Sequence, residues 1–252
     1  MSGHSKWHNI KLKKGKVDAQ RGALFTKLSK EIILAAKNGS PDPEANYRLK
    51  MAVEKARENN VPQENIKRAI ARATGADGAR DIEEIRYEGH GPHNVAIVID
   101  AATDNRNRTA SELRFLFSRH GGALGETGAV AWIFEPRGLL EVENGPRDED
   151  ALTEAALVDG VIDVRFDDGS DEGRSIVSTE PAALAAVRSA LVARGVRVTS
   201  MVLGVEAKQT IVPVGDDLRG IVALLDALEE HEDVQRVYAN AEIDIAQLEA
   251  LA

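Results

Sequence analysis

The sequence contains no cysteine, and aromatic residues make up only 4% of the chain. Without cysteine there are no disulfides, no iron–sulfur clusters, no cysteine-ligated zinc and no thiol nucleophile. No apolar run approaches the roughly 20 residues that span a bilayer, and the N-terminus lacks the apolar segment of a secretory signal peptide. We therefore expect a cytoplasmic protein that is neither secreted nor inserted in a membrane.

Familiar catalytic motifs are also missing, since neither G-x-S-x-G nor a Walker A sequence is present. The glycine-rich stretch "GGALGETG" runs from a predicted helix into a predicted strand. Phosphate loops run the other way, so a helix end with a tight turn explains its glycines better. The pairs His4 with His8 and His90 with His93 offer too few ligands for a catalytic zinc site. We expect no catalytic residue, metal, cofactor or small-molecule substrate. The less favoured alternatives are a metal-assisted hydrolase using His90 and His93, and a protein-interaction adaptor that uses the acidic domains.

Charge is distributed unevenly along the chain. Residues 1–74 hold 16 Lys and Arg against 7 Asp and Glu, a balance of +9, whereas the whole chain carries −9, so the remainder carries −18. A basic third within an acidic protein predicts contact with a polyanion, nucleic acid above all, confined to that third. A solvated basic helical face is the alternative explanation.

The stretch "GHSKWHNIKLKKGKVDAQRG", residues 3–22, concentrates this positive charge. A basic segment of this kind becomes ordered when it meets a polyanion, and lysines bind phosphates without reading sequence. Trp7 could stack on an unpaired base or anchor the segment to the helices that follow. The predicted nucleic-acid-binding residues here are Lys6, Trp7, Lys11, Lys13, Lys14, Lys16 and Arg21.

Apolar periodicity predicts three helices after this arm. The first, from Asp18 to Asn38, places Lys27, Lys30 and Lys37 opposite its apolar face, which predicts lysines free to meet a partner. The second spans residues 44–58. The third begins near Pro62 and ends at Gly75. It directs Lys67, Arg68 and Arg72 outward, and the last two helices resemble a helix-turn-helix, although any small bundle gives the same pattern.

Strands alternating with helices follow a linker at residues 75–81. The predicted strands are "EIRYEGHG", "NVAIVIDA", "AVAWIFEP", "GLLEVE", "VIDVRF", "RSIVST", "VRVTSMVLG", "KQTIVPV" and "VQRVYA". We predict an α+β fold, with a three-helix domain followed by two small ferredoxin-like α/β domains, the third inserted in the second. The predicted domains are residues 1–80, residues 81–137 with 206–240, and residues 138–205, before a tail at 241–252.

"TDNRNRT", residues 103–109, lies between a predicted strand and a predicted helix. Asp104 and Asn105 suit helix capping, whereas Arg106 and Arg108 do not favour a helix start, because the positive end of the helix dipole disfavours cations. Arginines with amide neighbours could instead bind a phosphate backbone. A cap alone and a second binding loop both remain open.

Six stretches, in order, carry a family resemblance over essentially the whole chain. They are "GHSKWHNIKLKKGKVDAQRGALFTKLSKEI", "DPEANYRLKMAVEKARENNVPQENIKRAI", "YEG.GP", "TDNRNRT", "GGALGETGAVAWIF" and "DVQRVYAN". The sequence resembles the YebC family. The resemblance implies a helical N-terminal domain, two α/β domains with one inserted in the other, and control of gene expression through nucleic acid without catalysis.

The resemblance leaves two partners open. Some members are described as probable DNA-binding transcriptional regulators, while others, including mitochondrial ones, are ribosome-associated factors that help translate difficult sequences such as proline runs. Organellar members carry a transit peptide before the "HSKW" motif, which begins here at His4, so the resemblance implies a bacterial cytoplasmic protein. Where the family usually has "YEGYGPGG", this chain has His90, His93 and Asn94, at a turn that could need positive φ.

Overall fold

The computed structural model describes residues 19–75, 81–145, 148–166 and 174–243, with the side chains of residues 19–21 and 174 excepted. These residues form two compact units, one of residues 19–132 and 213–239 and the other of residues 133–212 and 240–243. Within this part of the chain no helix combines the length and apolarity needed to cross a membrane. The basic arm lies outside the described residues. The three-domain division remains a prediction.

Three helices open the first unit: α1 (Ala19–Lys37), α2 (Tyr47–Glu58) and α3 (Gln63–Ala73). They match the predicted helices to within three residues at each end. Asn46 begins α2 because its side-chain oxygen accepts a hydrogen bond from the Leu49 amide (3.1 Å). The facing apolar sides share one buried cluster that includes Ile32, Leu49 and Ile66, as their periodicity predicts. Leu24, on the predicted apolar face of α1, is 37% exposed instead.

The first unit also holds a four-stranded antiparallel sheet. Its elements are β1 (Glu83–His90), β2 (Ala96–Thr103), α4 (Arg106–Arg119), β3 (Ala123–Leu124), α7 (Gly215–Glu230) and β8 (Val234–Ala239). The strand order is β3-β1-β2-β8. Leu113 and Phe117 of α4 and Ile221 of α7 are fully buried. Ala102 of β2 shares the buried cluster of the three helices, so the helical layer packs directly on the sheet.

The second unit is a β-α-β-β-α-β arrangement. It comprises β4 (Phe134–Glu143), α5 (Glu149–Ala155), β5 (Val161–Arg165), β6 (Arg174–Thr179), α6 (Leu184–Ala193) and β7 (Arg197–Ala207). Its strand order, β5-β6-β4-β7, is that of a ferredoxin-like sheet. The α+β fold class is confirmed. The prediction that the first unit is also ferredoxin-like is wrong, because the β1–β2 hairpin lies at the centre of its sheet, between β3 and β8.

Two predicted strands are wrong. In "AVAWIFEP" the structure has a 3₁₀ turn at Ala131–Ile133, and β4 then continues through the predicted break at Pro136 into "GLLEVE". Proline is tolerated there because β4 pairs with β7 along its length but with β6 only from Gly138 onward. "KQTIVPV" forms a single bridge, between Ile211 and Ala241, rather than a strand.

The turn between β1 and β2 departs from ordinary backbone geometry. His93 and Asn94 have φ of 56° and 57°, in the left-handed region where glycine is favoured. These are two of the positions at which the chain departs from the "YEGYGPGG" pattern. The His93 ring lies 3.1 Å from Asp217 of α7, an ion pair if the ring is protonated.

Candidate nucleic-acid interface

An open groove of about 370 Å³ lies in the first unit between α1, α3 and the β2–α4 turn. It brings together predicted binding residues that are far apart in sequence, Lys30 and Arg72 from the helices with Asp104 and Arg108 from the turn. The groove is also lined by Phe25, Ser29, Asn65 and Glu232. The groove is therefore where the two predicted binding regions meet.

A buried carboxylate holds one side of this groove together. Asp233, which is 0% exposed, accepts hydrogen bonds from the Arg108 guanidinium (2.9 and 3.1 Å) and from the Thr109 hydroxyl (2.7 Å). The ammonium group of Lys30 also donates to it, and to the Glu232 carbonyl at 3.1 Å. We call Asp233, Lys30, Arg108 and Thr109 the Asp233 hub. It ties α1 to α4 at the start of β8.

The hub determines the ionisation of its carboxyl group. Burial alone would raise the pKa of Asp233, but hydrogen bonds from Lys30, Thr109 and Arg108 outweigh it and lower the pKa from 3.8 to about 2. Asp233 is therefore ionised throughout the physiological range. The resulting stabilisation is lost only as the pH falls towards that lowered pKa.

Glu112 and His231 approach the hub and, with Asp233, place three potential metal-ligand atoms within 4.8 Å of one another. Instead, Nδ1 of the His231 ring accepts a hydrogen bond from the Asp233 amide (3.1 Å). The Nε2 atom of the ring lies 2.9 Å from the Glu112 carboxylate. Both Asp233 oxygens already bind cationic side chains, so a metal ion would stand beside two positive charges. We therefore assign no metal to this cluster.

The predicted free lysine face of α1 is wrong. Lys30 is only 9% exposed and belongs to the hub. Lys27 donates to the backbone carbonyl of Glu229, and Lys37 lies 2.7 Å from Asp81. The helical wheel does place these lysines opposite the apolar stripe, but the sheet and its acidic connections cover that side. Sequence periodicity shows which face is polar and not what packs against it.

Helix α3 presents its predicted basic residues differently. Lys67 is exposed and pairs with Glu64 at 3.1 Å, whereas Arg72 lines the groove. Arg68 is exposed and forms no ion pair with any residue in the described ranges, and the same is true of Arg57 at the end of α2. Arg57 is not among the predicted binding residues, because a basic residue in the last turn of a helix is also expected from the helix dipole.

The β2–α4 turn is both a cap and part of the groove. Asn105 is the N-cap, and its side-chain oxygen accepts from the Arg108 amide at 3.2 Å. Arg106 is bound by Glu83 of β1, and its carbonyl accepts from the Tyr87 hydroxyl (3.1 Å). The capping interpretation is thus confirmed for Asn105. A binding role for the turn remains a prediction that centres on Arg108 and Asp104.

The glycine-rich loop binds an anion that belongs to the chain itself. Glu88, 4% exposed, accepts hydrogen bonds from the backbone amides of Gly128, Val130 and Ala131, each at 2.8 Å. Burial would raise the pKa of Glu88, but these amides lower it. The loop is therefore an anion-binding nest of backbone amides that the Glu88 carboxylate occupies. The sequence offered only a glutamate in a strand next to Gly89, which is not enough to predict it.

Of the predicted binding residues, those in the arm cannot be placed. Lys6, Trp7, Lys11, Lys13, Lys14 and Lys16 lie outside the described residues, and the Arg21 side chain is not described. The chain enters α1 at Ala19, seven residues before Thr26 at the groove. At about 1.5 Å per helical residue, this is about 10 Å along the axis. The arm and the groove are therefore neighbours along the chain.

Comparison with known proteins places this chain in a family. Residues 5–76 match the family described as "TACO1/YebC protein N-terminal domain", and residues 82–241 match "TACO1/YebC second and third domain". The chain belongs to the TACO1/YebC family, as the resemblance predicted.

Similar proteins support the same assignment. A "Probable transcriptional regulatory protein" of Pelotomaculum thermopropionicum is 51% identical over 97% of this chain and all of that protein. One of the same description in Dictyoglomus turgidum is 46% identical over the full length of both chains. The crystal structure of a conserved hypothetical protein from Aquifex aeolicus matches with a TM-score of 0.82 and 42% identity, covering 92% of this chain and 94% of that one.

Proposed function

We propose that this protein is a non-enzymatic, nucleic-acid-binding regulator of gene expression in the cytoplasm, and that it acts as a DNA-binding transcriptional regulator. The observation that carries the proposal is the groove, which Arg72 of α3 and Arg108 of the β2–α4 turn line together with the middle of α1. The basic arm precedes that helix. The relatives described as probable transcriptional regulatory proteins support the same class.

The basic residues differ in exposure and in partners, and we propose different roles for them. Exposed Lys67 and Arg68 stand on α3, and their charges suit phosphates along a backbone. Lys30 is held by Asp233, so its proposed part is to fix the position of α1 against α4 rather than to contact phosphate. The lysines of the arm supply sequence-independent affinity.

The test is a salt titration of binding. Full-length protein is mixed with labelled duplex DNA or with ribosomal RNA, and the affinity is measured by fluorescence anisotropy between about 50 and 200 mM salt. A double substitution of Lys13→Gln and Lys14→Gln removes two phosphate contacts, so the slope of log affinity against log salt should fall by about 1.8 on duplex DNA. Lys50→Gln on α2, which removes a lysine paired with Glu44, is the control for loss of charge.

The result also separates the two partners. Tight, sequence-selective binding to duplex DNA supports a transcriptional regulator. Binding to ribosomal RNA, with co-sedimentation on ribosomes, would replace it with a ribosome-associated translation factor that acts at difficult sequences such as proline runs. Unchanged binding to both nucleic acids after loss of Lys13 and Lys14 would refute a role for the arm.

A further inference from the structure

Within the described residues, the charged side chains of the groove and of the hub balance to zero, although part of the groove comes from the basic third of the chain. The Asp233 hub joins two cationic side chains to one carboxylate and so carries a net charge of +1. The other charged side chains that line the groove are Arg72, Asp104 and Glu232, which together contribute −1. A floor with no net charge suits an uncharged group, and the phosphates of a bound nucleic acid are then expected on the exposed basic residues around the groove.

The same groove is rich in hydrogen-bonding groups. Within the described ranges, the Asn65 carboxamide forms no hydrogen bond and the exposed Glu232 carboxylate forms no ion pair. The Ser29 hydroxyl donates to the Phe25 carbonyl at 2.7 Å, which leaves its oxygen able to accept. Phe25, an aromatic residue half-buried against the core cluster of the three helices, also lines the groove. The groove thus combines an aromatic residue, an amide and carboxylates.

We propose that this groove binds an unpaired nucleobase, supplied by single-stranded DNA or by an RNA loop, while the phosphates of the same strand lie outside it. This inference rests on the proposed function and specifies what the site recognises. A base is flat, uncharged and edged with donors and acceptors, which matches the aromatic residue and the balanced polar floor. The groove volume of about 370 Å³ falls within the usual range for small-ligand pockets.

The carboxylates indicate which bases are preferred. Asp104 and Glu232 accept hydrogen bonds, and carboxylates in nucleic-acid interfaces accept from exocyclic amino groups such as that of cytosine. Thymine and uracil lack an amino group. The groove should therefore favour cytosine over thymine or uracil.

The surroundings of the groove are suited to the phosphates of the same strand. Arg68 lies three residues after Asn65 and four before Arg72 on α3, so it shares their side of the helix, and its exposed guanidinium forms no ion pair within the described ranges. Helix α1, which the basic arm precedes in the sequence, begins at Ala19, about 10 Å along its axis from Thr26 of the groove. A strand whose base enters the groove can therefore keep its backbone on basic groups.

The experiment compares strands with identical phosphate counts. Labelled 12-nucleotide strands of cytosine, of thymine or uracil, and of abasic spacer are titrated with the full-length protein, in DNA and RNA forms, alongside a blunt duplex. We expect the cytosine strand to bind about tenfold more tightly than the abasic strand, the range that stacking and pairing of one base provide. The tighter of the DNA and RNA forms identifies the source of the base.

Variants locate the effect. Asn65→Ala and Glu232→Gln should reduce the ratio of cytosine to abasic affinity with the salt slope unchanged. Arg68→Ala should weaken all strands equally and lower the salt slope by about 1. Circular dichroism melting checks that each variant folds; Asn65 is half-buried and Glu232 is exposed, so their substitution leaves the core intact.

The outcomes separate this inference from the proposed function. Equal, salt-dependent binding of base-bearing and abasic strands would overturn the nucleobase site and leave the regulator intact. A base preference undiminished in both Asn65→Ala and Glu232→Gln would also overturn it, because the base would then bind elsewhere. Absence of salt-dependent binding to any nucleic acid would overturn the proposed function as well.

Discussion

Replacing Asp233 with asparagine tests how α1 is held to the sheet. The substitution keeps the shape of the side chain and removes its charge, and Thr109 can still donate to the remaining oxygen. Lys30, 9% exposed, then loses its counterion in a nearly buried position. Arg108 is better placed, because its head is partly exposed and also approaches Asp104 at 3.4 Å. The cost should therefore arise mainly from Lys30.

The magnitude follows from the pKa. The pKa of Asp233 falls from 3.8 to about 2 on folding, and at 1.36 kcal/mol per unit this corresponds to about 2.4 kcal/mol of stability at pH 7. This value already includes the loss of the counterion of Lys30, so we expect Asp233→Asn to lower the free energy of unfolding by about 2.4 kcal/mol at pH 7. A group with a lowered pKa stabilises the fold above its unfolded pKa. At pH 3 the carboxylate contribution falls to about 1.3 kcal/mol, and the difference between the proteins should shrink by about 1 kcal/mol.

The assay is urea unfolding of both proteins at pH 7 and pH 3, followed by circular dichroism at 222 nm. Lys30→Met provides the matched partner, because it removes the other charge and keeps an apolar stem. Asp233 retains Arg108 and Thr109 in that variant. The double variant should be less destabilised than the sum of the single variants by more than about 1 kcal/mol, as expected for a buried pair. Additivity within about 0.5 kcal/mol, or a destabilisation that does not change with pH, would refute the hub.

Three further substitutions test local geometry. Glu88→Gln offers one oxygen to three backbone amides and should cost about 2 kcal/mol in urea unfolding, a loss that shrinks as acid protonates the wild-type carboxylate. His93→Gly relieves a positive φ, so it should raise the free energy of unfolding by about 0.5 kcal/mol and the melting temperature slightly. Asp217→Asn is the control for the lost ion pair. Gly122→Ala would place its Cβ 2.5 Å from the His90 carbonyl oxygen, so a loss of about 2 kcal/mol is expected, and an unchanged melting temperature would contradict this packing.

Local pattern was enough to predict most elements of the fold. The three N-terminal helices, the β1–β2 hairpin and the β-α-β-β-α-β unit follow from periodicity and from turn residues, which act over a few positions. "KQTIVPV" has the composition of a strand but forms one bridge. "AVAWIF" is apolar enough for a strand, yet the amides of Val130 and Ala131 bind Glu88 instead of a neighbouring strand. Both failures come from tertiary partners that no local pattern contains.

The sequence was enough to predict which charged residues belong to the candidate site, but not that they come together around Asp233. Lys30, Arg72, Asp104 and Arg108 were all singled out in the sequence, but as two separate regions. Asp233, which organises them, follows Glu232 in an acidic stretch typical of an exposed loop. Its burial depends on contacts 203 residues away in sequence, with Lys30. Such a residue can be found only when the fold brings its partners together.

The positive charge of the first third of the chain is therefore divided between contacts inside the molecule and residues available to nucleic acid. Part of the basic excess of the helical layer is used inside the molecule, where its side chains contact the acidic α/β part. The contacts are Lys27 to the Glu229 carbonyl, Lys30 to Asp233, Lys37 to Asp81 and Arg48 to Glu84. The exposed pairs among these should weaken with salt, whereas the buried hub should not. The salt slope of nucleic-acid binding should thus reflect the arm, Arg57, Lys67 and Arg68, and fall well below the number of basic residues in the first third of the chain.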